Sequence, residues 1–296
     1  MIRHKLLAIL AISLGIFGCN YVKEPFPPAQ PVADCPVPAF DSAAGTPQKN
    51  VLFEEFTGHQ CGNCPGSTLF ANTTLKNQFG DRMIIVSIHA GTLAEPEPPG
   101  TGKFETDFRT TQGDAYNTSF GVTVVPIALI DRSDNSGLYP YYRPQWQNAI
   151  DQQLNKPLEV NLKLKLVYDN NTQKLCAFTE AEFLTNKSGN FNTCIYIVED
   201  SIIDWQKNYA GTGDPNYPTG DVSNYVHKHV FRTTIGNTWG LQTASGNILA
   251  GDKFVNTFAF DFTGKNWNKN KIHIVAYIYD DATKEVLQTV EKRLIE

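Results

Sequence analysis

Two cysteines three positions apart, Cys61 and Cys64 in the stretch GHQCGNCPGS at residues 58–67, are the part of this sequence best suited to chemistry. Such a pair can hold a metal, close a structural bridge or trade electrons with other thiols. Structural zinc takes four ligands, and knuckles of this spacing come in pairs. Here there is one knuckle; Cys35, Cys176 and Cys194 are scattered, and His59 is too near in sequence to complete a tetrahedron easily, so no metal site is expected. A purely structural bridge is also weakly favoured, because closing so small a loop removes little unfolded-chain entropy.

The redox reading has more behind it. The pair follows the apolar run VLFEEF and opens the helical pattern STLFANTTLKNQF. Cys61 is therefore expected at a helix N-terminus, where unpaired amides and the helix dipole favour the thiolate, the attacking species. Cys64, one turn further on, is placed to resolve a mixed disulfide. Pro65 falls in the first helical turn, where its missing donor costs little. His59, if protonated, would raise the thiolate fraction; the plainer reading is a solvated loop histidine.

The elements around the pair change character near Pro157. Before it, strand patterns (VLFEEF, MIIVSI, VPIALI) alternate with helical ones (STLFANTTLKNQF, TDFRTTQGDAYNTSF, QWQNAIDQQLN), which argues for an α/β domain over 51–156. After it, LEVNLKLKLVYD puts Leu158, Val160, Leu162, Leu164 and Leu166 on one face, a strict period of two. Further strand runs follow with short turns between them, the pattern of an all-β sandwich over 157–296. The proline-rich segment GTLAEPEPPGTGK, residues 91–103, reads as a loop that either shapes a partner groove or is inert.

The chain begins with Arg3, His4 and Lys5, then the apolar run LLAILAISLGIF. That run is too short to span a bilayer, which needs roughly 20 residues, and has the length of a signal-peptide core. The stretch IFGC resembles the lipobox of bacterial lipoproteins, which implies a signal peptide over 1–18 and a lipid anchor on Cys19. Residues 20–50 hold seven prolines without helical or strand period, so 19–50 reads as the anchor and a semi-rigid tether. Without residues 1–18 the chain carries 23 basic and 30 acidic residues, a net charge of about −7, and nothing suggests nucleic acid.

Residues 51–156 resemble the thioredoxin superfamily. Besides the cysteine pair, FGVTVVPIALID at 120–131 is similar to the family's stretch ending in a proline that opens a strand. The resemblance implies a cis peptide at Pro126, with the Val125 backbone presented to an extended substrate. It also implies that Glu55, six residues before Cys61, is the buried acid that takes the resolving cysteine's proton. The residue before the first cysteine is Gln60 where the family commonly has tryptophan, and Gly62–Asn63 is neither a strong reductant's nor a strong oxidant's dipeptide.

A narrower resemblance rests on EEFTGHQCGNCPGS together with the lipobox, the tether and the strand-rich second half. These resemble the bacterial lipoproteins of the outer membrane protein twenty-eight family, which implies anchorage at the outer membrane, facing periplasm or cell surface. The expected activity is thiol–disulfide exchange on protein thiols or disulfides, without a cofactor. The alternative is a surface adhesion or partner-binding lipoprotein whose cysteine pair is an inert staple.

Three weaker signals complete the reading. Cys176 and Cys194 are expected as two buried free thiols, since a hairpin turn at SGN puts Cys194 opposite residue 184. His227 and His229 alternate on a strand pattern and are expected as surface or hydrogen-bonded histidines. The loop GTGDPNYPTGD has oxygen ligands enough for calcium, but turn chemistry explains it as well.

Overall fold

A computed structural model describes residues 35–40 and 46–295; the expected signal peptide, Cys19 and most of the tether lie outside the described residues. No helix among the described residues is long and apolar enough to cross a membrane.

The first strand patterns become β1 (Val51–Thr57), β2 (Met83–His89), β3 (Ile127–Ile130) and the short β4 (Pro140–Tyr141). The helical patterns become α1 (Cys64–Phe70), continued through a π turn at Ala71–Leu75 into α2 (Lys76–Phe79), then α3 (Thr111–Ser119) and α4 (Trp146–Leu154). The second half supplies β5 (Val160–Asp169), β6 (Lys174–Phe183), β7 (Lys187–Glu199), β8 (Ile202–Asn208), β9 (Gly220–His227), β10 (Val230–Thr234), β11 (Leu241–Ile248), β12 (Lys253–Asp261), β13 (Ile272–Asp280) and β14 (Val286–Arg293). The protein is β-rich, with few helices.

One sheet runs through both halves in the order β14-β13-β7-β10-β2-β1-β3-β4, with β11 paired to β7. Strands from both sides of residue 157 therefore share it. The join is narrow: β10 meets β2 in parallel through Val230 and Ser87. A second sheet, β12-β6-β5, packs its apolar face on the C-terminal strands of the first. Leu162, Leu164, Ala177 and Phe183 meet Ile195, Ile197, Ile274 and Ile278 there, and the alternation along β5 is what turns its leucines inward. The hairpin β8-β9 forms a sheet of its own.

On the N-terminal strands both faces are covered, so their sequences read as continuous apolar runs rather than alternations. Leu52 and Phe56 face one cluster with Tyr116 and Tyr196, while Val51 and Phe53 face another with Leu75, Trp146 and Ile150.

The free-thiol expectation is corrected at one of its two positions. Cys176 is bonded to Cys35, 141 residues away, with a Cα–Cα distance of 5.7 Å, and Cys194 is a free buried thiol. Cys176 lies between the buried Leu175 and Ala177 of β6, so its side chain faces out of the core, toward the chain at residue 35. Hairpin arithmetic considers strand neighbours and cannot see such a partner. His227 and His229 do not share a strand face: β9 ends at His227, and His229 takes a left-handed backbone, φ 53°, before β10.

Candidate active site

Every residue of β1 is buried, and its period of two sends adjacent acids to opposite faces. Glu54 shares the side of Leu52 and Phe56. Its carboxylate accepts two bonds from Arg132, both at 2.8 Å, and one from the Tyr196 hydroxyl at 2.8 Å. Arg132 in turn donates to Tyr196 and Tyr277 and lies over the rings of Tyr116 and Phe120. Glu55 shares the side of Phe53, toward α1, and accepts the Thr68 hydroxyl at 3.0 and 3.2 Å. Burial pushes its carboxyl up to about 8, against the opposing pull of Thr68 and of the Arg143 guanidinium.

After β1 the chain turns through Gly58–Asn63 into α1. Gly58 admits the close passage of the Leu93 carbonyl, which a Cβ there would meet at 2.4 Å. Cys61 and Cys64 are joined by a disulfide, S–S 2.07 Å. The helix begins at Cys64 rather than at Cys61, with Pro65 in its first turn. Both cysteines are enclosed, at 3% and 1% exposure. The Val125–Pro126 peptide is cis, and the Val125 carbonyl oxygen lies 3.8 Å from Cys61 Sγ.

His59 is not the solvated loop histidine of the plainer reading. It is buried against Phe104 and Phe108, and its Nε2 contacts the Glu95 carbonyl at 2.9 Å. Burial lowers its pKa, which opposes a role as a cation beside a thiolate. The partners Phe104 and Phe108 stand just after the proline-rich stretch 91–103.

A cavity of about 10 Å³ lies beside the bridge, lined among others by Cys64, Thr68, Ser87, His89, Tyr225 and His227. That is room for about one water. Ser87 Oγ and both ring nitrogens of His89 are buried there without a protein partner. Burial drives His89 well below its ordinary pKa and His227 down to about 4. No group of three or more His, Cys, Asp or Glu side chains placed to hold a metal occurs among the described residues.

Thr68 was findable from sequence, standing four residues after Cys64 on the same helix face. Ser87, His89, Tyr225 and His227 reach the site from β2 and β9; the alternation with His229 marks His227 in the sequence, but no local pattern ties any of them to the cysteine pair.

These features define a β-rich protein with an enclosed CxxC disulfide set between a strand and a helix. A family model described as outer membrane protein Omp28 matches residues 113–296, more than half of the chain, and the chain belongs to that family. No curated protein matches it. Among solved structures, HBP35 of Porphyromonas gingivalis is similar in fold at 16% identity and a TM-score of 0.61, over 85% of this chain and 77% of that one. Protein AGR_C_4864 from Agrobacterium tumefaciens matches at 10% identity and a TM-score of 0.48, over 85% of this chain and 97% of that one. A domain of the outer membrane lipoprotein Omp28 from Porphyromonas gingivalis matches at 16% identity and a TM-score of 0.30, over 47% of this chain and 90% of that one.

Proposed function

We propose that this protein is a thiol–disulfide oxidoreductase of the thioredoxin superfamily, held at the outer membrane by a lipid on Cys19. The observation that carries the reading is the joint placement of the Cys61–Cys64 bridge and an acid held near neutrality. Glu55 is bonded to Thr68, one helical turn after Cys64, and its carboxyl sits at about 8. A group of that pKa can hand over and take back a proton at the pH of the envelope.

Cys61 is the sulfur that exchanges with the partner. In the reducing direction its thiolate attacks a partner disulfide and releases the first partner sulfur. Cys64, giving its proton to Glu55, then attacks Cys61, closes the bridge and releases the second partner sulfur. The partner gains two electrons and the pair loses two. The Val125 carbonyl beside Cys61 is the docking point for the partner's backbone, with Pro126 holding that segment in place. His59 supports the turn from beneath, through its packing on Phe104 and Phe108.

A second reading has one specific observation in its favour: both cysteines are almost wholly enclosed. In it the pair is a closed staple, and the protein works by binding a surface partner. The reduction potential of the pair and turnover of a disulfide protein such as insulin, repeated with Cys61→Ser, separate the two. Turnover that vanishes in the variant supports the oxidoreductase; a potential below about −300 mV without turnover supports the staple.

A further inference from the structure

One run of chain lies directly against the turn that carries the bridge. Residues 206–213, from the end of β8 into its connection to β9, lie along the cysteine turn. The amide of Lys207 donates to the His59 carbonyl at 2.8 Å, and that of Tyr209 to the Gly62 carbonyl at 2.9 Å. The Gln206 side chain donates to the carbonyls of Cys61 at 3.0 Å and Gly58 at 3.3 Å. Thr212 donates its hydroxyl to Asn63 Oδ1 at 2.7 Å.

The contact is close enough to exclude side chains. A Cβ on Gly62 would stand 2.3 Å from the Tyr209 ring, and one on Gly66 2.2 Å from the Thr212 carbonyl oxygen. Four carbonyls of the turn, at 58, 59, 61 and 62, thus take donors from a single segment. The carbonyls of Gly58 and Cys61 also accept the amides of Cys61 and Cys64 within the turn, whereas those of His59 and Gly62 take their donors from this segment, so whatever replaces it has to supply those two.

The end of the segment is held together as one unit. Its hairpin pairs with no strand of either larger sheet, and a lone two-stranded ribbon is marginal without support. Support is strong at the base, where Tyr225 and His227 are buried, Trp205 packs on Phe104 and His227 on Phe108. Toward the tip Gln206 and Asn208 are buried but Tyr209 is half exposed, and left-handed glycines stand within the connection, at Gly211, and at the first residue of β9, Gly220. The Asn208 side chain binds the tip into one unit, donating to the carbonyls of Asp214, Tyr217 and Pro218 and accepting from the Asp214 amide. Compact loops closed by their own contacts are suited to opening as rigid flaps.

We propose that residues 206–213 are an internal ligand of the cysteine turn, a cap that an extended polypeptide displaces when it brings its own thiol or disulfide to Cys61. The purpose rests on the redox reading, and it narrows the substrate class. The displacing chain must offer backbone amides two residues apart, as Lys207 and Tyr209 do, and an apolar side chain to lie over Gly62. Gln206, Tyr209 and Thr212 are the residues a partner competes with, and so the ones that set selectivity.

The test measures access to the bridge in the full chain and needs no physiological substrate. Dithiothreitol reduces the Cys61–Cys64 bridge, each event turning its two thiols into a cyclic disulfide while the two cysteines gain two electrons and two protons. Alkylation and peptide mass spectrometry count this bridge separately from Cys35–Cys176. The variant combining Gln206→Ala, Tyr209→Ala and Thr212→Ala removes two side-chain anchors and the ring, and reduction is expected to accelerate at least about tenfold. Equal rates, within about twofold, in a variant that keeps its native circular dichroism overturn the cap.

If that variant does not fold, the unaltered protein decides. Reduction that levels off at high dithiothreitol, at the rate where the Lys207 and Tyr209 amides exchange with deuterium, supports a cap that opens first. Reduction that stays proportional to dithiothreitol and outruns those amides overturns it. A bridge uncapped in the variant that still turns over no protein substrate supports the cap and removes the oxidoreductase reading.

Discussion

Arg132 grips both carboxylate oxygens of Glu54 with neither side chain exposed to solvent. The pair joins β1 and the corner after β3 to Tyr196 of β7 and Tyr277 of β13, so it ties together strands from the two halves of the chain. The corner itself places Asp131 and Arg132 in the left-handed region, at φ 48° and 50°, and this aims successive side chains at different partners. Asp131 takes Lys49 at 2.5 Å and the Leu52 amide at 2.8 Å, while Arg132 takes Glu54. Removing one member of a buried pair strands the other's charge, which costs about 3–5 kcal/mol. Arg132→Met is expected to lose that much in urea unfolding. Arg132→Met combined with Glu54→Leu is expected to recover part of it, since no charge is then left unpaired.

Glu55 makes stability depend on pH. Its folded pKa of about 8 lies above the ordinary 4.5, so the native state holds a proton that the unfolded chain releases. Its contribution to stability is complete below pH 4.5 and is lost as pH rises to about 8. By the linkage constant the loss amounts to up to about 5 kcal/mol. Glu55→Gln keeps the shape and removes the titration, so its stability relative to the native chain should climb between pH 5 and 8. On the redox reading the same variant slows closure of the bridge by roughly 10²-fold at neutral pH and erases the inflection near pH 8 in its rate profile. Stopped-flow oxidation of the reduced pair measures both.

How much of this was open to sequence reasoning depends on how far apart the cooperating residues lie. The strand before the cysteines, the helix they open and the alternation of β5 follow from local pattern, because each is decided by neighbours a few residues away. The Cys64 and Thr68 face is likewise a matter of helical period. Glu54 gave no sign of its role, since its partner stands 78 residues on and reaches it only through an unusual corner. The cap escaped for the same reason: IIDWQKN and GDVSNYVH lack a clean apolar period, and what fixes them is the backbone of a turn some 145 residues earlier. The single sheet running through both halves is invisible in composition, because its join is one pair of residues.

The histidines beside the bridge predict sensitivity to acid. His227 has its ring among Phe108, Tyr225 and His89, with Nε2 at 3.2 Å from the Trp205 carbonyl oxygen. Burial holds its pKa at about 4, below the ordinary 6.5, so its contribution is complete above pH 6.5 and is lost as pH falls to 4. That window corresponds to about 3 kcal/mol. His89, 5.5 Å away ring to ring, is shifted in the same direction and steepens the loss. His227→Phe keeps the ring packing and forfeits one hydrogen bond, about 1 kcal/mol at pH 7. Thermal melts should show the variant less stable at pH 7 and closing the gap as pH drops toward 4.

The remaining cysteines give a prediction that needs no knowledge of function. Cys194 is fully enclosed, its sulfur 3.8 Å from the Thr238 carbonyl and 4.0 Å from the Tyr116 hydroxyl, and burial pushes its thiol up to about 11. A thiol that is both covered and protonated at neutral pH does not react. Maleimide applied to the native, unreduced protein should leave the Cys194 peptide unlabelled, and the same treatment in urea should label it fully. Non-reducing peptide maps should show Cys35 joined to Cys176, closing 141 residues of chain. A loop of that length is worth at most about 5 kcal/mol of unfolded-state entropy, so Cys176→Ser should lower the urea midpoint clearly. Because the bridge clamps the chain at residue 35 onto the outer face of β6, the variant should also expose residues 35–40 to protease before any strand opens.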